Sequence, residues 1–441
     1  YQHELCRPAL EETLGVIIFQ EQVLEVAMDV AGFSSSEAES LRRAMSRKRS
    51  RRALEAHHRR FIEGAGANGV ETKIANDIFS QIIGFSGFGF PKAHSAAFGL
   101  LAYQSAWLKV HYAPEYLTSL LNEQPMGFYP PDSLVQEGGR SGVSILPPDL
   151  NSSRVGCTTE WLPPEEIREA TGPDGGAKAN GNDVAADGGS RPAQPAVRIG
   201  LAYIKGAKEK EMEALVGERD RGGPYQDLGD LSSRMPLRRQ ELEQLAWAGA
   251  LRSLPKGDRV SGLWNVGLST AGTNNSSGRQ LSLPFESGET PELQEPKAWS
   301  RVAAEYGTIG MTLEGHPMAL VRPTLQDHVK NTVAAAAAAD KSQAEVAGML
   351  VAKQKPETAR GTIFLLIEDE FGTLNLITPP RVALKYRLVI RTATILRARG
   401  RIETNQGVVN LIVNSLAEIE PPNPTVKAVA PMGQNFGRRG R

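Results

Sequence analysis

The stretch 361–413, GTIFLLIEDEFGTLNLITPPRVALKYRLVIRTATILRARGRIETNQGVVNLIV, decides the fold of the C-terminal part. Segments 361–367, 373–378, 393–402 and 407–413 are rich in Val, Ile, Leu and Thr, with turn residues between them. A fifth such segment, 346–353, lies just upstream, and runs of this composition bounded by turns read as strands. PPRVALKYRLVI (379–390) sits between the third and fourth segments of the five-strand set. Pro380 is tolerated in a first helical turn, where its missing N–H costs nothing, and Val382, Tyr386 and Val389 fall on one side. Strand-strand-strand-helix-strand-strand within about 70 residues is the order of an OB barrel. An unrelated small β-barrel would satisfy the same pattern.

Upstream of this the periods are helical. In QEQVLEVAMDVA (20–31), Val23, Val26 and Val30 fall on one face. Ser34 followed by Glu37 fits a capping box, in which each side chain answers the other's backbone N–H, and opens a helix through Met45. Ile74, Ile78 and Ile82 recur at the spacing of a buried stripe. GFSGFGFP (84–91) breaks the pattern, and HSAAFGLLAYQSAWLK (94–109) is an apolar helix ending near Pro114. The spacing predicts further helices over 196–254, a loop-like 255–300 rich in Gly, Ser and Pro, a short helical or mixed piece at 301–323, and a linker end or short helix at the alanine run 334–339. Segment 161–195 has low complexity, and 172–195 within it reads as a flexible surface insertion or linker.

The chain has 441 residues, with 50 Lys+Arg against 50 Asp+Glu. That length predicts more than one domain. Neutrality argues against a polybasic-tail protein and, taken whole, against a nucleic-acid binder. By position the picture reverses. RRAMSRKRSRRALEAHHRR (42–60) holds Arg42, Arg43, Arg47, Lys48, Arg49, Arg51, Arg52, Arg59 and Arg60 against Glu55 alone. A second run, 381–401, holds Arg381, Lys385, Arg387, Arg391, Arg397, Arg399 and Arg401 and no acid. Like charges four residues apart destabilise a helix, so one-sign blocks point to a phosphate-rich partner.

Other chemistries are set aside. Cys6 and Cys157 cannot make a disulfide framework or a Cys-rich metal site. No apolar run is long enough for a membrane helix, and no signal peptide is visible, so a cytoplasmic location without membrane contact is expected. His57 and His58 have no partners at ligand spacing. Glu368, Asp369 and Glu370 precede Phe371-Gly372, where a turn acid is the favoured reading over a Mg²⁺ ligand. No P-loop, Rossmann, HExxH or GxSxG pattern occurs, nor an Asp-x-Asp pair in a hydrophobic strand, so no catalytic or metal-binding residue is assigned. Ile204-Lys205-Gly206-Ala207 reads as a helix-hairpin-helix turn, and LAWAGALRSL (245–254) ends in a similar one. A plain glycine C-cap is the alternative for each.

Three longer stretches carry a family resemblance: GVIIFQEQVLEVAMDVAGFSSSEAESLRRAMSRK (15–48), GFGFPKAHSAAFGLLAYQSAWLKVHYAPEYLTSLLNEQPMGFY (87–129) and VSILPPDLNSS (143–153). They resemble the bacterial C-family DNA polymerases, the alpha subunits of DNA polymerase III. RRAMSRKRS, FPKAHSAAF and NEQPMGFYPP are closest to the error-prone, damage-inducible branch. The resemblance continues through IGLAYIKGAK, EGHPMALVRP (314–323), the barrel and QNFGRRGR (434–441). It does not extend to the 161–195 insertion or the 331–340 alanine run.

The resemblance implies a multidomain α+β chain, with mostly α-helical fingers and a helix-hairpin-helix region followed by a C-terminal OB-fold barrel. The expected parts are partial fingers at 1–125, a connection at 126–160, the insertion at 161–195, the helix-hairpin-helix region at 196–255, a linker with a short helix at 256–340, the OB-fold at 341–420 and a tail at 421–441. The chain is expected to begin inside the fingers, so that the palm and its aspartates, which hold two Mg²⁺ in this family, lie outside it. It would stop just after the barrel, as the error-prone branch does. The substrates implied are dNTPs and a primer-template, with a sliding clamp reached through an accessory protein.

By similarity, Arg42 and Arg43 would meet the triphosphate, helped by Lys48, Lys92, His94 and Ser95. Guanidinium forks match phosphate oxygens and stay charged, and a helix start at Lys92 would offer N–H groups to an anion. His94 has helix capping as its alternative role. Phe88 and Phe90 read better as core than as stacking rings. DNA contacts would come from Arg47, Arg49, Lys205 and Gly206, with Arg387, Arg397 and Arg399 lining a single-strand path on the barrel. The rivals are a non-catalytic helix-hairpin-helix/OB repair protein and a replicative alpha subunit.

Overall fold

The computed structural model describes residues 1–46, 51–85, 90–126, 129–163, 165–167, 193–270, 293–294, 296–356, 359–420 and 435–436. It divides into two compact units, Tyr1–Val110 and His111–Arg441. The expected fingers, 1–125, cover the first unit and the start of the second.

The first unit is helical: α1 (Arg7–Leu10), α2 (Gln20–Ala31), α3 (Ser35–Ser46), α4 (Arg51–Ala67), α5 (Thr72–Gly84) and α6 (Lys92–His111). Val23, Val26 and Val30 are buried, as their spacing predicts, with Leu41, Phe61, Ile78 and Ile82. The capping box forms: Ser34 N–H donates to Glu37 Oε2 at 2.7 Å and Glu37 N–H to Ser34 Oγ at 3.3 Å. Arg60, counted in the basic block, is a structural residue. Its Nη1 and Nη2 donate to the carbonyls of Ala31 and Gly32 at 3.2 and 3.1 Å, answering the open C-terminus of α2. Helix α6 buries none of its residues.

The second unit opens with α7 (Ala113–Asn122) and α8 (Pro131–Arg140), then a three-stranded sheet of β1 (Ser144–Leu146), β2 (Thr158–Leu162) and β3 (Gln194–Arg198). The sheet order is β1-β3-β2. Leu117 and Leu121 of α7 belong to this unit's core, alongside Leu150, Ile199 and Leu201. The sheet was not expected in the connection or at the start of the hairpin region. Its strands are at most five residues long, and β3 carries Pro195, so no alternation develops. Strand β2 pairs antiparallel with β3, Leu162 opposite Gln194, so the insertion leaves and rejoins the fold at the end of one hairpin. Residues 168–192 of it lie outside the described residues.

Helices α9 (Glu209–Gly222), α10 (Leu228–Arg234), α11 (Arg239–Trp247), α12 (Arg259–Thr270), α13 (Ala298–Thr308) and α14 (Pro317–Val321) follow. The expected loop at 255–300 and linker at 256–340 are corrected here. Helix α12 buries Val266 in the main core, while α13 buries Trp299, Val302 and Tyr306. Glycine and serine within these helices dilute the apolar period that would have revealed them. Residues 271–292 are outside the described residues.

After α15 (Thr332–Ala336) comes the barrel: β4 (Gln343–Gln354), β5 (Ile363–Glu368), β6 (Thr373–Thr378), α16 (Pro380–Lys385), α17 (Arg387–Thr392), β7 (Ile395–Asn405) and β8 (Val408–Glu418). Order β5-β6-β8-β7-β4 closes through a β4–β5 pairing, with β6–β8 parallel and the other barrel pairs antiparallel. This is the expected OB-like order. The single helix read at 379–390 is two, broken at Tyr386 (φ −103°, ψ 25°). A Cβ on Gly400 would lie 2.1 Å from the Ile412 carbonyl, so only glycine lets β7 bend onto β8 at the irregular step after Arg399. In the tail, β9 (Asn435–Phe436) pairs parallel with the end of β4.

Candidate nucleic-acid interface

In the first unit the expected triphosphate residues come from the end of α3 and the start of α6. Arg42 lays its fork on Glu39, with Nε to Oε2 at 2.8 Å and Nη2 to Oε1 at 2.7 Å. Arg43 Nε reaches the same Oε1 at 3.0 Å. The two guanidiniums, Arg42 foremost, hold the Glu39 carboxyl down at about 2, so it stays ionised. Arg43 keeps 72% of its side chain exposed against 32% for Arg42. Arg47, Lys48 and Arg49 lie outside the described residues, as does Phe88.

Lys92 opens α6, as the pattern predicts, but its groups are already engaged. Its ammonium pairs with Glu12 and its backbone N–H donates to Glu21 Oε2 at 3.0 Å. Glu12 raises the Lys92 pKa, keeping the charge on. Glu21 is also within electrostatic reach of Arg42. Arg42 and Lys92 thus share the acidic start of α2, and an incoming anion would compete with Glu12, Glu21 and Glu39 for them. His94 is one turn into the helix and not a cap. Its ring stands between Phe90 and Phe98, with centroids 4.9 and 4.4 Å away. Phe90 is 46% exposed, so its expected core role is corrected. Ser95 is spent locally: its N–H and Oγ both donate to the Pro91 carbonyl.

In the second unit, Lys205 follows a 3-10 turn, Leu201–Tyr203, and precedes α9. Its N–H donates to the Thr308 carbonyl at 2.7 Å and its Nζ to that of Tyr306 at 2.5 Å, tying it to the end of α13. Partial burial lowers the Lys205 pKa. Gly206 has φ +85° and open space around it, so a backbone could be approached closely there. The turn that lies between two full helices is the other one, 248–258, joining α11 to α12. Its Arg252 and Lys256 are exposed and were not singled out from sequence. The Ala248-Gly249-Ala250 turn in LAWAGALRSL is the sequence signal for that segment. The hairpin is braced by a buried network: Arg259 bonds Glu305 and Glu314, each at 2.7 Å, and Arg301 Nε bonds Glu314 at 2.5 Å.

On the barrel, β7 alternates. Leu396, Ala398, Gly400 and Ile402 point into the core, while Arg397, Arg399 and Arg401 form an outward row. Arg397 Nε lies 3.2 Å from Glu345 Oε1 on β4, which leaves Arg399 as the more available cation. Arg401, 3.8 Å from Glu403, extends the row, as the two-residue spacing from Arg397 could have told. Arg387 stands on a different element, α17.

The acids at 368–370 are turn acids, and more. Asp369 Oδ1 accepts from the N–H groups of Phe371 and Gly372 at 3.0 and 3.1 Å. Its Oδ2 accepts from Arg322 Nη2 at 2.9 Å, and Glu370 pairs with the same guanidinium. Among the described residues no three His, Cys, Asp or Glu side chains stand together as metal ligands, and the nearest candidates are tied to Arg322, Arg140 or Lys92. The described residues therefore offer no carboxylate cluster that fits Mg²⁺. No helix among the described residues is long and apolar enough to cross a membrane.

Residues 1–69 match the bacterial DNA polymerase III alpha subunit finger domain, and residues 142–261 a helix-hairpin-helix motif. The chain is 38% identical over 425 residues to the error-prone DNA polymerase of Anaeromyxobacter dehalogenans (strain 2CP-C), an alignment covering 95% of this chain and 35% of that one. With the Methylococcus capsulatus error-prone DNA polymerase it shares 38% over 423 residues, covering 95% and 38%. With that of Burkholderia pseudomallei it shares 36% over 424 residues, covering 96% and 37%. The chain spans a little over a third of the length of these curated relatives. Finger match, helix-hairpin-helix match and barrel follow one another along one continuous alignment, and on that ground the chain belongs to the bacterial DNA polymerase III alpha-subunit family, among its error-prone members.

Proposed function

We propose that this chain is the triphosphate- and template-facing part of an error-prone DNA polymerase that extends primers with dNTPs during damage tolerance in the cytoplasm. The observation that carries the reading is the alignment of 95% of the chain with proteins named error-prone DNA polymerase. The side chains suit the task. Arg42 and Arg43 form a double guanidinium on one carboxylate, and a nucleotide triphosphate offers the same planar oxygen pairs with more charge. In this reading Arg42, Arg43, Lys48 and Lys92 meet the triphosphate, with His94 and Ser95 beside it. Arg47, Arg49, Lys205 and Gly206 meet duplex phosphates. Arg387, Arg397 and Arg399 guide the single-stranded template. The two Mg²⁺ are held by carboxylates other than those described. A sliding clamp is engaged through an accessory protein.

The test is primer extension by the polymerase that contains this chain, carrying Arg42→Ala with Arg43→Ala. The KM for dNTP is expected to rise by about tenfold or more while primer-template affinity holds. An unchanged KM rejects the triphosphate role.

A further inference from the structure

The helical cap of the barrel has an outward face that the DNA path does not account for. Its inner side is anchored: Ala383 and Ile390 are buried in the barrel core, with Val382, Tyr386 and Val389 packed against it. Lys353 Nζ donates to the Ile390 carbonyl at 3.0 Å and fixes the end of α17. The outer side carries Leu384, 75% exposed, and Leu388, 67% exposed. Leu384 stands on α16 and Leu388 on α17, one on each side of the break at Tyr386. Arg381, Lys385, Arg387 and Arg391, all exposed, surround them. Among the described residues, no carboxylate pairs with any of the four.

This combination selects a partner. Phosphate rewards the cations but gives nothing for two leucines. Burying a leucine side chain is worth about 1.5–3 kcal/mol, and only apolar groups can supply that burial. Tyr386 packs against the barrel core and has the Lys385 ammonium over its ring, 5.1 Å from the centroid, so that ring is already engaged rather than open to a base. The β7 row is different. There the arginines are flanked on β4 and β8 by Gln343, Glu345 and Ser415, a surface without exposed leucine.

We propose that Leu384 and Leu388, rimmed by Arg381, Lys385, Arg387 and Arg391, form a docking surface for an acidic segment of a partner protein that carries two apolar side chains among its carboxylates. Carboxylates of the segment meet the cationic rim, and its apolar pair covers the leucines. The inference does not rest on the polymerase reading. Arg387 alone is shared with the template path, so the leucines separate the two roles.

The test is fluorescence anisotropy on the full chain with two probes. One is a labelled synthetic peptide of glutamates around two leucines, and the other is labelled oligothymidylate. Leu384→Ser with Leu388→Ser is expected to weaken the peptide by about tenfold and leave oligothymidylate unchanged. Arg381→Glu with Arg391→Glu is expected to abolish peptide binding. Both leucines are exposed, so the serine variant is expected to keep the wild-type melting curve. A wild-type chain that ignores the peptide overturns the proposal. So does a leucine variant that loses oligothymidylate equally, which would assign the face to nucleic acid. A wild-type dimer in sedimentation that the leucine variant dissociates would assign it to self-association, and overturns it too.

Discussion

Arg140 at the end of α8 places its Nη1 2.6 Å from Oε1 of Glu368, which closes β5 with only 2% of its side chain exposed. This pair joins the helical body of the second unit to its barrel. Burial raises the Glu368 pKa, and Arg140 pulls it back toward the charged form. Its other oxygen has no hydrogen-bond partner. Removing Arg140 leaves a buried charge uncompensated, which costs about 3–5 kcal/mol. Arg140→Ala is expected to lower the urea midpoint sharply, and adding Glu368→Gln to recover most of the loss. Additive losses in the double variant would show that the pair is not coupled.

Asp132 in the first turn of α8 is fully buried, accepting from Tyr306 Oη at 3.0 Å and Thr312 N–H at 3.1 Å. Burial pushes its pKa up to about 7, against those two hydrogen bonds. An unfolded Asp titrates near ~4. Between those values the native state holds a proton that the unfolded state lacks, so this stabilisation is complete below about pH 4 and fades as pH rises through about 7. Asp132→Asn is expected to flatten the fall in urea midpoint between about pH 4 and about pH 7. An unaltered slope would show that Asp132 is not the group responsible.

Gly400 has no room for a methyl group, with the Ile412 carbonyl 2.1 Å from where the Cβ would stand. Gly400→Ala must push β7 off β8 at the step that curves the barrel. A loss of about 1–3 kcal/mol or more is expected, read as a lower melting temperature. Gly407, in the β7–β8 turn with open space around it, is the control for φ strain without a clash.

The outward row on β7 predicts a graded effect on single-strand binding. Arg399→Ala is expected to weaken oligothymidylate more than Arg397→Ala, because Arg397 is already half committed to Glu345. Each lost phosphate contact should lower the slope of log affinity against log salt by about 0.7. Equal effects from all three arginines, or an unchanged slope, would remove β7 from the template path.

Legibility followed the length of the local pattern. The barrel strands and the capping box at Ser34 and Glu37 carry their signal in neighbouring residues, and both are readable. The sheet of β1, β3 and β2 is not, because its strands are three to five residues long and β3 carries Pro195. Helix α12 hid behind its glycine and serine, and Arg252 and Lys256 were missed with it. Of the candidate site, the residue types and the two cationic runs were visible. Their carboxylate partners were not.

By itself the sequence determined the element types over most of the chain, the C-terminal barrel and the family. These follow from side-chain periodicity and local turn chemistry. Only the tertiary structure decided what each charge is for. Arg60 and Arg42 come from the same block, yet one closes a helix end and the other lays its fork on a carboxylate shared with Arg43. Glu368 and Asp369 adjoin each other, yet they hold two different arginines from distant helices. A charge has no period, and its role is set by whichever partner folding brings within hydrogen-bond distance.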